Sequence, residues 1–438
     1  MRRKLLVDQK FARPVSLGLF ASLAVLLPLA LFMRFPGLDQ AGTIHVPGDY
    51  ATIQSAVNAA QNGDVILVSP GTYREALRIS GKTITLASEF YTSGDLSLVS
   101  QTVIDGGGNT VITVDSTVGP EAQIIGFTIR NGEDGIATRA KMNILNNHIL
   151  NTTDGIDSTG GGGLIKSNTF ENNRDDGVDF DQASSGIIEN NLIRSNGNDG
   201  IEIRLHDYTG PELSIVIRGN IIEGNTQDGI QLIDYPSVTN RVFTIERNLF
   251  HMNKMAAIGL MDDGKSREDF RASSIPERIF VFNNTFIDNP YAISGGDNLI
   301  ALNNIFTGAA TMALKNVDNG SIVAYNLFWN NAADEQGSNL DGDTTRYSDP
   351  ILDENYALQP GSPGIDAGTA LFVWNGETVL SYPPGSFNGS NPDLGWRESA
   401  SESPTPTPTE PPNPSTPMPG QQPVTKTFIL IWNGETDH

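Results

Sequence analysis

From about Asn143 onward, short apolar runs alternate with polar turns, as in "DGIEIRL", "SIVIRGN" and "NIIEGN". Each run is too short for a stable helix and alternates with period two, so each predicts a half-buried strand. The runs come in threes. Asn147, Asn168, Asn191, Asn220, Asn248, Asn284, Asn304 and Asn326 are each followed two positions later by Ile or Phe, at a base spacing of about 22 residues with insertions. A period of this length predicts a solenoid, because a three-strand coil cannot bury its apolar face alone and must stack on the next. Each coil then gives one strand to each of three parallel sheets. The recurrent asparagines fall at one corner, where their amides pair along the stack as in other asparagine ladders, and no function is assigned to them.

The ends of the repeat carry their own patterns. "GTIHVPGDYATIQSAVNAAQNGDVILVSPGTYREAL" reads as a strand, a short helix near 52–60 over the open end of the core, and a first coil; "GSPGIDAGT" and "NPDLGWRE" close the other end. With the asparagine repeat, these segments resemble the right-handed parallel β-helix of the pectin-lyase-like superfamily across residues 42–398. The resemblance implies an all-β, right-handed, single-stranded parallel β-helix of three sheets with an N-terminal capping helix. It leaves the chemistry open, since that fold hosts lyases, hydrolases, epimerases, esterases and inert adhesins.

Outside the repeat, Arg2, Arg3, Lys4, Lys10 and Arg13 precede an uncharged run over 15–33. That run is about long enough to cross a bilayer, and the basic segment 1–14 belongs on the cytoplasmic side. Only Ala41 and Gly42 offer small residues for cleavage, so an uncleaved signal anchor is expected, with the rest of the chain extracellular at the cell surface, or secreted if the segment is cleaved. Residues 399–424 form a Pro/Thr tract that reads as an extended linker. The segment 425–438 contains "FILIWNGETDH", which echoes "LFVWNGETVL" near Trp374 and has no assigned role.

The chain has no cysteine, which excludes disulfides, thiolate chemistry and zinc ribbons. Its formal net charge of -23 excludes a protein that grips nucleic-acid phosphates. The same charge repels polyuronates unless a cation brings the two together.

Aligning the coils on their Gly-Ile or Gly-Val pairs stacks "NTTDGIDS", "NRDDGVDF", "GNDGIEIR" and "TQDGIQLI" on one sheet. Ile156, Val178, Ile201 and Ile230 point inward, so Asp157, Asp179, Glu202 and Gln231 form an outward column. A second column, at the turn leading into the sheet, holds Asp154, Asp176, Asp199 and Asp228; Asp before Gly also suits such a turn for purely structural reasons. Carboxylates about 4.8 Å apart repel by about 1 kcal/mol even in water. A cation, a proton or a substrate contact is expected to offset that cost.

"RDDGVDF" is similar to the acidic Ca²⁺ motif of family-nine pectate lyases. The resemblance implies Ca²⁺ on Asp175, Asp176 and Asp179, joined by Asp157 or Asp154 from the preceding coil, in β-elimination on a uronate. The base there is a lysine; none lies on this sheet in the next coils, and Arg204 is the nearest replacement. "NTTDGI" followed by "RDDGV" also resembles polygalacturonases. That implies inverting hydrolysis with Asp175 as general acid and with Asp154 and Asp176 activating water. Asp181, Glu202, His206, Tyr208 and Gln231 line the same face and its enlarged loops as candidate substrate contacts. The expected function is Ca²⁺-assisted lyase chemistry on acidic polysaccharide, with hydrolysis or a non-catalytic glycan-binding surface module as alternatives.

Overall fold

The computed structural model describes residues 41–236 and 239–399. The expected basic segment, membrane anchor, linker and C-terminal echo lie outside the described residues. No helix among the described residues is long and apolar enough to cross a membrane.

Three parallel sheets of 12, 11 and 12 strands run the length of the molecule, and each coil contributes one strand to each. A single core lies between them. Phe250, Phe286, Phe306 and Phe328 occupy the same register position in successive coils, with stacked rings 4.8–4.9 Å apart. The spacing follows from the parallel ladder, which sets identical inward positions one strand separation apart.

The corners are held by side-chain ladders. Each asparagine of the predicted series after Asn147 accepts, on Oδ1, both the backbone N–H and the amide N–H of the preceding one; Asn191 N–H to Asn220 Oδ1 is 2.9 Å and Asn191 Nδ2 to Asn220 Oδ1 is 3.0 Å. A second ladder, Asn173–Asn196–Asn225–Asn253–Asn289, does the same at the next corner. It begins five residues after a first-ladder asparagine, a spacing the sequence displays at Asn168/Asn173, Asn191/Asn196 and Asn220/Asn225.

Near the N-terminus the helix Ile53–Ala59 buries Ile53, Ala56 and Val57. Thr52 caps it, and the Glu75 carboxylate accepts the free N–H groups of Ile53 and Gln54, each at 2.9 Å. At the other end, strands Leu371–Trp374 and Glu377–Ser381 form an antiparallel hairpin. Its turn, Asn375-Gly376, has both residues at positive φ, as a two-residue hairpin demands. Phe372, Trp374 and Leu380 lay this hairpin against Phe282, Ile300 and Leu302. The first "WNGET" is therefore a turn that fastens the C-terminal segment to the helix wall.

Candidate polysaccharide and cation site

The acidic residues lie on the 11-stranded sheet, on strands Ile156–Thr159, Val178–Asp181, Ile201–Leu205, Ile230–Asp234 and Ala256–Met261. Asp157, Asp179, Glu202 and Gln231 are in register on successive strands, with Gly259 next. The other two sheets treat their outward charges differently. One carries Lys166–Glu189–Arg218–Glu246 in register, and Glu189 is bridged by Lys166 at 2.7 Å and Arg218 at 2.6 Å. The other carries Glu171–Arg194–Glu223–His251, with Arg194 2.6 Å from Glu171. Signs alternate on those sheets, which offsets the penalty for like charges side by side. On the acidic sheet they do not.

The turn column is built into the backbone. Asp154 Oδ1 accepts the N–H of Asp176 (3.0 Å), Asp176 Oδ1 that of Asp199 (2.7 Å), Asp199 Oδ1 that of Asp228 (2.6 Å) and Asp228 Oδ1 that of Ala256 (2.6 Å). One oxygen of each carboxyl thus caps the following coil, as an Asp-Gly turn favours. The other oxygen is left for other work.

Two clusters of three carboxyls form here, each with one oxygen per residue within 4.8 Å of the others: Asp154, Asp175 and Asp176, and Asp176, Asp179 and Glu202. Asp176 belongs to both. Asp179 and Glu202 are only 7% and 3% exposed, and Asp179 Oδ1 has no hydrogen-bond partner. Asp157, expected among metal ligands, stands beside Asp179 in the column but outside both clusters, while Asp154 and Glu202 lie inside them. An all-oxygen set with a buried unpartnered oxygen suits Ca²⁺, which takes six to eight hard oxygens in flexible geometry.

Electrostatics follow from crowding and burial. Burial, then the nearby Asp179, Asp175 and Asp134, push Asp154 up to about 7. Asp179 is pushed up to about 8 by burial and by Glu202, Asp181 and Asp157, against the pull of Arg204. Burial and the Asp175, Asp181 and Asp154 carboxyls bring Glu202 to about 7. Asp176 is raised well above the usual range by burial and by Asp199 and Glu202.

Arg204 sits among these groups. It is 2.8 Å from Asp179 Oδ2, 3.6 Å from Asp181 Oδ1, and paired with Glu202 Oε1. Burial alone would favour losing its proton, but Asp179, Glu202 and Asp181 hold the guanidinium's pKa above its ordinary value. Arg204 acts here as counter-charge, and a guanidinium held protonated in this way must be released from these carboxyls before it can take up a proton as the expected base.

The substrate candidates divide. His206 stacks on Tyr235, centroids 4.7 Å apart, and its Nδ1 faces Asp181 Oδ1 at 3.6 Å and the Gln182 N–H at 3.4 Å. Tyr208 lies under the Arg241 guanidinium at 5.6 Å. Gln231 is fully buried and donates to Asp228 Oδ2 at 3.0 Å, so the protein itself occupies its amide N–H. Tyr235, not singled out in the sequence, has its hydroxyl pKa raised by burial and by Asp181, Glu202 and Asp179, which places it at the groove. Its signal was the insertion that carries it. A cavity of about 650 Å³ lies elsewhere, at the C-terminal closure, lined by Leu358, Ile365, Asp366 and Asp393. Asp366 and Asp393 there accept backbone N–H groups and hold the closure together.

A family model described as "Right handed beta helix region" matches residues 110–270. No curated protein matches the chain. Among solved structures it is similar to pectate lyase Pel9A, with a TM-score of 0.57 and 16% identity over 83% of this chain and 98% of that one. It is less similar to the Agl-KA catalytic domain, with a TM-score of 0.41 and 13% identity over 72% of this chain and 68% of that one. For an alginate lyase from Paenibacillus sp. str. FPU-7 the TM-score is 0.37 and the identity 19%, over 70% and 98% of the two chains. The chain is thus a right-handed parallel β-helix, a fold it shares with pectate lyase Pel9A. At this identity the likeness concerns the fold.

Proposed function

We propose that the protein is an extracellular β-helix enzyme that acts on acidic polysaccharide with the help of Ca²⁺, by lyase-type chemistry. The observation that carries this reading is the pair of carboxyl clusters sharing Asp176 on a sheet whose outward column, unlike those of the other two, does not alternate in sign and has Arg204 as counter-charge to several carboxyls at once. Asp154, Asp175, Asp176, Asp179 and Glu202 supply the oxygens. A bound divalent ion there would draw a uronate carboxylate to a face that otherwise repels it, and would acidify the adjacent C–H. Arg204 neutralises the column in the resting site; once Ca²⁺ takes over its carboxylate partners, its side chain would receive that proton as the C=C bond forms and the glycosidic C–O bond breaks, the leaving oxygen taking a proton from water. His206 and Tyr235 form the stacked wall against which a sugar ring rests. Fold likeness to a pectate lyase supports this reading by analogy alone.

Inverting hydrolysis by Asp154, Asp175 and Asp176 fits less well. It needs room for a water held between the two carboxyls, whereas these three each bring one oxygen within 4.8 Å of the others, an arrangement that suits a shared ion more directly.

In this reading the helix Ile53–Ala59 closes the open end of the core, residues 15–33 anchor the chain in a membrane, and 399–424 space the β-helix from the 425–438 segment. The decisive assay incubates the protein with polygalacturonate and with alginate and follows ultraviolet absorbance. Growth of unsaturated product that stops on chelation is expected. New reducing ends without that absorbance would transfer the site to hydrolysis, and neither signal over a wide glycan panel would leave a binding module.

A further inference from the structure

The structure buries a further acid that belongs to neither cluster. Glu268 lies on the insertion between strands Ala256–Met261 and Arg278–Phe282, in "DDGKSREDFRASSIP". It is 4% exposed, although the residues around it, Ser266, Arg267 and Arg271, are exposed. The reason lies in the column below. After Asp157, Asp179, Glu202 and Gln231 the next register position is Gly259, which has no side chain. A methyl group there would collide with both Asp228 Oδ2 and Glu268 Oε2. The insertion thus lowers its own carboxyl into the gap that the glycine leaves, face to face with a fully buried aspartate.

The hydrogen bonds around the pair are incomplete in a specific way. Glu268 Oε1 accepts from the Phe270 N–H (2.6 Å) and the Ser294 hydroxyl (3.2 Å), and Asp228 Oδ2 accepts from Gln231 Nε2 (3.0 Å). Glu268 Oε2 has no partner. No Lys, Arg or His forms an ion pair with either carboxyl among the described residues. The other titratable groups facing them are also acids, Asp199 from the preceding coil and Asp269 on the insertion. Lys315, two strands beyond Gly259 in the column, is engaged with Gln336. Lys265 on the insertion is turned to Asp262 and Asp269, at 3.3 and 3.5 Å. Two ionised carboxylates cannot share so dry a space without a counter-charge. A metal suits it poorly, because the Gln231 N–H points into it as a donor.

We propose that Asp228 and Glu268 share one proton, and that this acid–carboxylate pair is the clasp that holds the 262–276 segment on the acidic sheet, releasing it when the proton is lost. Burial raises the pKa of both groups, and Asp228 raises that of Glu268 further. A folded-state pKa above the unfolded one means that the stabilisation is complete at low pH and disappears as pH rises through the folded value. Release reaches the groove. Gly264 of the segment donates to the Asp234 carbonyl at 2.8 Å and packs closely on Tyr235, which stacks on His206. The clasp is independent of whether the groove is catalytic.

Hydrogen exchange of the full chain between about pH 5 and about pH 9, corrected for intrinsic rates, tests the proposal. The opening constant of amides in 262–276 is expected to rise by up to about tenfold per pH unit once the shared proton is lost, while amides of Ile201–Leu205 keep their protection. Tryptic cleavage after Arg267 and Arg271 should rise in parallel. Glu268→Gln, a neutral isostere, should flatten the rise, and Asp228→Asn, which keeps the oxygen that caps Ala256, should flatten it too. If Glu268→Gln fails to fold, the wild-type profile and Asp228→Asn decide. A wild-type opening constant independent of pH, or variants that keep the wild-type slope, would overturn the clasp.

Discussion

Arg204 shows how much one side chain can be asked to neutralise. Its guanidinium serves Asp179, Asp181 and Glu202 at once, and removing one partner from a largely buried ion pair leaves the others uncompensated. Arg204→Ala is therefore expected to destabilise the apo protein by about 3 kcal/mol, read from denaturant melts. Ca²⁺ should recover part of the loss, because the freed carboxylates can bind it. Asp179→Asn is expected to do the opposite: it removes one buried charge, leaves apo stability close to wild type, and weakens the rise in melting temperature that Ca²⁺ produces. An unchanged Ca²⁺ shift in Asp179→Asn would remove that residue from the site. Most of these residues were legible in the sequence, because Gly-Ile and Gly-Val pairs fix the register and period two then fixes the face. Arg204 was legible only as a position. That three carboxylates hold its proton depends on side-chain direction across neighbouring strands, which spacing does not carry.

At the scale of the element, ladders make the corners rigid. Asn220 is fully buried; its amide donates to the Ile188 carbonyl and to Asn248, and its oxygen serves both N–H groups of Asn191. Asn220→Ala strands at least two buried backbone groups, and a loss of about 3 kcal/mol is expected from equilibrium unfolding. The aspartate ladder applies the same device with a carboxyl acceptor, so its members are structural and, in the proposed site, Asp154 and Asp176 are ligands as well. That double use could not be read from Asp-Gly alone, which only favours a turn. The 262–276 insertion was visible as extra length, but Glu268 was not, because the gap it fills is made by Gly259, and a glycine in a strand gives no sign of what approaches it.

Over the whole molecule, two sheets balance their outward charges and one does not. The formal net charge of -23 is thus a local property as well as a global one. Asp154, Asp179 and Glu202, raised to about 7, 8 and 7, each have folded pKa values above their unfolded ones. Their contribution is present at low pH and is lost as pH rises through roughly 7 to 8. In chelator, the melting temperature should fall between about pH 5 and about pH 9, and saturating Ca²⁺ should remove most of that fall by favouring the ionised forms. A melting temperature in chelator that stays flat across this range would mean the carboxyls are not desolvated as described. The most direct measurement is anomalous scattering from a crystal soaked in calcium. The account predicts a Ca²⁺ peak within about 2.3–2.6 Å of oxygens from Asp176 and at least two of Asp154, Asp175, Asp179 and Glu202. Calcium bound elsewhere on the molecule, with none at Asp176, would contradict it.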